Sequence, residues 1–198
     1  MSTENISPHL RRAVLAVAQL NLAYFGVEFS TAISIASVSL FADSIDFLED
    51  ASVNLLILLA LGWSRAARAR VGMLLAAILL VPSLAALWAI WQKFQMPVAP
   101  AAAPLSLVGF GALAVNLSCA LMLARYRHGS GSLTKAAFLS ARNDAIANIA
   151  IIAAGLLTAA TASHWPDLAV GIGVALMNAG AAWEVWEAAC KEHGAAQA

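Results

Sequence analysis

Six apolar stretches, separated by short connections, account for nearly all of this 198-residue chain. A helix needs about 20 predominantly apolar residues to cross the hydrocarbon layer of a bilayer. Stretches that meet this condition run over about 13–34, 38–63, 71–91, 105–124, 135–161 and 168–185. Side chains that are 62% hydrophobic and 11% charged cannot coat six such helices in water. The expected fold class is therefore all-α, an integral membrane protein built as a six-transmembrane-helix bundle. Residues 1–198 read as a single transmembrane domain with no soluble domain. The connections have no room for a nucleotide-binding or nucleic-acid-binding module.

The basic residues orient the bundle. Nine of the 11 Lys and Arg, namely Arg11, Arg12, Arg65, Arg68, Arg70, Arg125, Arg127, Lys135 and Lys191, fall at one set of helix ends. Lys93 lies at the opposite ends, and Arg142 lies within the fifth helix. The positive-inside bias places both termini in the cytoplasm, which agrees with an even number of crossings. Arg11-Arg12 followed by an apolar run has the look of a signal peptide. The run continues through Asn21 and Glu28 without a small-x-small cleavage site, so it reads as the first helix. Cys119 and Cys190 are far apart and form no C-x-x-C pair, which indicates buried small residues and not a thiolate site. Pro97, Pro100 and Pro104 mark an outer loop between the third and fourth helices.

Charges inside these stretches demand a reason, because a carboxylate near the bilayer centre costs about 3 to well over 10 kcal/mol unless it faces a polar cavity. Asp43, Asp46, Asp50 and Asn54 share one face of the second helix at 100° per residue. Ser140, Asp144 and Asn148 follow an i, i+4, i+8 pattern and share a face of the fifth. Straight-helix arithmetic puts Asp50 roughly 12 Å and Asp144 roughly 13 Å above the inner boundary, with Asp46 and Asn148 near 18 and 19 Å. Glu28 and Asp43 come out near 22 Å, and Ser140 near 8 Å. Antiparallel helices with carboxylates at one depth are how a bundle makes a buried cation site.

The segment Ser39-Leu40-Phe41-Ala42-Asp43-Ser44-Ile45-Asp46-Phe47-Leu48-Glu49-Asp50 resembles the second helix of the cation diffusion facilitators. There an acidic residue or histidine and an aspartate four positions apart bind the metal. Phe138-Leu139-Ser140-Ala141-Arg142-Asn143-Asp144-Ala145 is similar to the fifth helix of that family, and His164-Trp165-Pro166-Asp167-Leu168-Ala169-Val170-Gly171 to the start of its sixth. The resemblance covers about residues 13–190. It implies a divalent metal efflux transporter that exchanges metal for protons by alternating access, with Asp46, Asp50, Asp144 and Ser140 as metal-binding residues.

Ser140 stands where the family more often has His or Asp, so Asn148 or water competes with it for the fourth ligand place. No cofactor is implied beyond the transported metal. Zinc is the first expectation for that cargo, with manganese, iron, cobalt or cadmium as alternatives, and oxygen-only ligands shift the balance toward harder ions such as manganese or ferrous iron. Expected partners are divalent metal ions, protons, the lipid bilayer and a second copy in a homodimer, with no nucleic acid. The expected location is a bacterial inner (plasma) membrane. The chain reads as a short form without the C-terminal cytoplasmic domain of most members.

Two other readings compete. One is a non-transporting scaffold of the same fold, suggested by Ser140 and the short C-terminus. The other is an intramembrane metal-dependent enzyme of the phosphatidyl-alcohol transferase kind. Such enzymes carry Asp-Gly-x-x-Ala-Arg, and here Asp43 is followed by Ser44-Ile45. No P-loop, G-x-S-x-G or H-E-x-x-H pattern occurs either, so no catalytic residue is expected.

Overall fold

The computed structural model describes residues 8–59, 84–124, 131–177 and 180, with the backbone alone for 57, 59 and 131–142. Among the described residues the structure is helical throughout, with no strand. In chain order the helices are α1 (Pro8–Ile35), α2 (Val38–Leu59), α3 (84–95), α4 (Ala102–Ala124), α5 (Gly131–Thr161) and α6 (Trp165–Met177). Prolines punctuate their starts: Pro8 opens α1, Pro104 sits in the first turn of α4 and Pro166 in that of α6, where a missing N–H costs nothing.

Three helical segments, Pro8–Ile35, Ala102–Ala124 and Asn143–Thr161, are long and apolar enough to cross a membrane. α2 is as long, but carries Asp43, Asp46, Glu49 and Asp50. Large apolar side chains such as Leu121, 72% exposed, face outward, while acidic and amide groups turn inward. That inversion of the soluble pattern fits a helical membrane bundle whose solvent is lipid.

Packing is most extensive between α1 and α2 and between α4 and α5, with lighter contacts of α1 on α4 and of α2 on α5. The four helices thus form two antiparallel hairpins laid side by side. Gly109 of α4 meets Ile151 and Ile152, and Gly155 of α5 meets Ser106, so small residues let the second hairpin close tightly. Leu10, Val14 and Val17 pack on Cys119, Ala120 and Leu123 toward the end that carries Arg11 and Arg12. Ala32, Leu40, Leu105 and Ile151 close the opposite end, and Ala42, Ala147 and Val174 join α2, α5 and α6.

The α1–α2 connection is only two residues long, and its backbone groups are fully accounted for. Ala36 takes a left-handed φ of 52°, while Ser37 N donates to Ala32 O at 3.0 Å and Ala36 N to Ile33 O at 3.4 Å. That pattern is a Schellman termination of α1. Ser37 then caps α2, its Oγ accepting from Leu40 N at 3.2 Å.

The remaining first-turn donors of α2 are met from α6. Asp167, fully buried, accepts from Val38 N at 3.0 Å, Ser39 N at 3.1 Å, Ser37 Oγ at 2.6 Å and Ser39 Oγ at 2.7 Å. Lys93 at the end of α3 completes the junction, with Nζ 3.7 Å from Asp167 Oδ2 and donating to Ala36 O at 2.5 Å. One buried carboxylate and one buried ammonium therefore tie α1, α2, α3 and α6 together at this end.

Gly171, one turn into α6 from Asp167, makes that approach possible. A Cβ there would lie 2.8 Å from Ser39 N and 2.9 Å from the Val38 carbonyl carbon, both backbone atoms that cannot rotate away. Gly171→Ala should therefore push α6 off α2 and lower stability by about 1–3 kcal/mol. Thermal unfolding of the detergent-solubilised variant checks this; an unchanged midpoint would mean that α6 does not sit against the α2 backbone.

Candidate functional site

Midway along the bundle the packed interior turns polar. Asn21 on α1, Asp43 and Asn54 on α2, Asn116 on α4 and Asn148 on α5 are all buried, as is Glu28 on α1. An amide in lipid must find partners inside the protein; Asn54 donates to Asp50 O at 2.8 Å while its Oδ1 meets no donor among the described residues, and the other amides are paired. Asn116 Nδ2 donates to Asn148 Oδ1 at 2.9 Å, and Asn148 Nδ2 donates to Asp43 Oδ2 at 2.5 Å, a chain that crosses α4, α5 and α2. On the α1 side, Asn21 Nδ2 reaches toward Asp50 Oδ2 at 3.5 Å and Cys119 Sγ toward Asn21 Oδ1 at 3.7 Å. Tyr24 Oη donates to Val108 O at 2.6 Å, and its ring stacks obliquely on Phe47.

Asp46 sits between these groups, half-buried on α2. Asp144 of α5 is its strongest electrostatic neighbour, followed by Asp43, Glu49 and Asp50. Cys119 of α4 lies within electrostatic reach of both Asp50 and Asp144. The three aspartates singled out in the sequence thus surround one region of the interior, with Asp46 and Asp50 on one hairpin and Asp144 on the other. Among the described residues, no group of three or more His, Cys, Asp or Glu converges tightly enough to clasp a metal ion as it stands.

The register differs from straight-helix arithmetic. That arithmetic levels Asp50 with Asp144 and Asp46 with Asn148, whereas Asn148 bonds Asp43, one turn closer to the α1–α2 junction, and Asp144 accompanies Asp46. α5 is shifted by about one turn, close to 5 Å, relative to the count from the apolar boundaries. Asn148, a candidate for the fourth metal ligand, is held between Asn116 and Asp43. Ser140 lies on α5, four residues toward the helix start from Asp144. Its side chain lies outside the described residues, as do that of Arg142, residues 60–83 and 125–130, and Cys190.

A family model, the cation efflux transmembrane domain, matches residues 14–191. The chain belongs to the cation efflux family. The match spans the described helices from α1 to α6, including both polar stripes, so the family assignment and the helical membrane bundle stand together. Cation efflux proteins are transporters. Among curated proteins, no sequence matches the chain.

The sequence pattern passed over several buried polar residues. Asn116 is a solitary amide in an apolar stretch, and Asn21 and Asp167 are equally isolated. The signal for each was position, since a polar side chain inside a membrane span is a functional or structural site by default.

Proposed function

We propose that this cation efflux protein exports divalent metal cations, zinc first among them, in exchange for protons through a carboxylate site formed by Asp46, Asp50 and Asp144. Ser140, Asn148 or water completes the ligand set. The observation that carries the reading is that Asp144 on one hairpin is the strongest charged neighbour, after burial, of Asp46 on the other, within the buried polar layer. Neighbouring carboxylates repel one another in a low-dielectric interior, and a dication relieves that repulsion. Protons relieve it equally well. Because protonated carboxylates bind cations poorly, proton arrival from one side releases the metal there, which makes the two ions exchange. Movement of helices about this fixed site exposes it alternately to each face.

The rest of the reading follows from the loop charges and the family. Both termini face the cytoplasm of a bacterial inner membrane, residues 1–198 form one transmembrane domain, and two copies associate as a homodimer. Manganese, iron, cobalt and cadmium are alternative cargoes. The oxygen-rich ligand set supports the harder ions of that group.

Proteoliposomes loaded with protein and assayed for zinc, manganese, iron, cobalt and cadmium, with and without a pH gradient, test the proposal. Flux that is faster with an opposing proton gradient, and alkalinisation of the proton-donating side on metal addition, are expected. Absence of flux for every metal would point to a non-transporting scaffold, and flux indifferent to the pH gradient would remove the proton exchange.

A further inference from the structure

Glu28 and Asp43 are a second acidic pair, just under one turn of α2 nearer the α1–α2 junction than the Asp46–Asp144 pair. Both side chains are fully buried. Glu28 interacts most strongly with Asp43, across the α1–α2 interface, and with Asp46 beyond it. Asp43 Oδ2 is held by Asn148, but apart from each other's carboxyl group Asp43 Oδ1 and both Glu28 carboxylate oxygens meet no hydrogen-bond donor among the described residues. The two carboxyl groups lie within hydrogen-bond reach of each other, so any proton they hold is shared between them, and no other donor meets these three oxygens, in a protein whose other buried carboxylate at this end, Asp167, has each oxygen satisfied. A buried acceptor left alone costs about 1–3 kcal/mol, and more when charged. No described basic side chain offsets the pair: Arg11 and Arg12 are at the far end of α1, and Lys93 is engaged by Asp167 and Ala36.

We infer that Glu28 and Asp43 form a second divalent-cation site, separate from the Asp46–Asp50–Asp144 site and nearer the α1–α2 junction. Two carboxylates offering three open oxygens match the charge and the hard-donor preference of a dication, and waters complete its shell. Asn148 is the positioning residue. Its amide nitrogen fixes Asp43 while Asn116 fixes the amide, leaving Oδ1 to turn toward Glu28. Asp43 also touches the α2 stripe from which Asp46 and Asp50 project, so a cation leaving the inner carboxylates meets this pair within one helical turn.

The inference rests on the chain handling divalent cations, not on proton exchange, and its test needs no transport. Purified full-length protein carrying both Asp50→Asn and Asp144→Asn, which disables the inner site, is titrated with Mn²⁺. Bound ion is read by loss of the free-ion electron paramagnetic resonance signal and by equilibrium dialysis. About one Mn²⁺ per chain is expected to remain, and adding Glu28→Gln should weaken its binding more than about 10-fold. Glu28→Asp, which keeps the charge, should retain binding. No Mn²⁺ bound by the Asp50/Asp144 variant while it elutes as a folded, monodisperse species would overturn the site and leave the pair bridged by a proton alone. Binding that survives Glu28→Gln unchanged would overturn it as well. A chain that binds Mn²⁺ here yet moves no metal in vesicles would refute the transport proposal and leave this inference intact.

Discussion

Asp144→Asn is expected to lower metal-dependent flux by more than about 100-fold, beyond the range in which groups supporting a metal ligand act. Asp46→Asn should do the same. The amide keeps the shape of the side chain and removes its charge, so the variants should remain in the membrane and elute as the parent protein does. Loss of flux from both would tie transport to the pair that faces across the two hairpins. Asp50→Asn completes the set from a different neighbourhood, since Asp50 also lies beside Asn21 of α1. Unchanged flux in any one of the three variants would remove that residue from the site.

Asp167→Ala is expected to cost about 3–5 kcal/mol of stability, the scale for breaking a buried ion pair and leaving one charge unmatched. Four hydrogen bonds go with it: those from Val38 N, Ser39 N and the hydroxyls of Ser37 and Ser39. Lys93 is left with only Ala36 O. Adding Lys93→Met should recover part of the loss, because the unmatched ammonium then disappears while the uncapped helix start remains. Thermal unfolding of the two single variants and the double variant separates these contributions. A loss under about 1 kcal/mol for Asp167→Ala would mean that water reaches the junction and replaces the carboxylate.

What sequence alone could show divides along a physical line. Apolar length is a one-dimensional property, so α1, α4 and the apolar part of α5 were readable directly. The same holds for the faces of α2 and α5, because helical periodicity fixes which residues align. Relative depth was not readable. The count placed Asn148 beside Asp46, while the structure sets it on Asp43, because helix tilt and the packing of Gly109 and Gly155 decide the register and neither leaves a mark in an apolar count. Asp167 was legible only as part of a family-like segment. Its role as a cap for a helix more than a hundred residues earlier depends on a tertiary approach that Gly171 permits. Glu28 and Asp43 computed to similar depth and proved to be neighbours. Their complete burial, against simple nearness to the membrane surface, needed coordinates.

The asymmetry of packing among the helices governs how the molecule can deform. α1 with α2, and α4 with α5, behave as two stiff leaves, the first clamped by its capped turn and the second by backbone contact through glycine. The weaker seam runs between the leaves, and Asn148 donating to Asp43 is the polar stitch across it. Sliding one leaf past the other would sacrifice little apolar contact but would have to unpick that stitch and separate Asp46 from Asp144. Any ion lodged between those two side chains is therefore a rivet through the seam, and removing it lowers the resistance to shear between the two leaves.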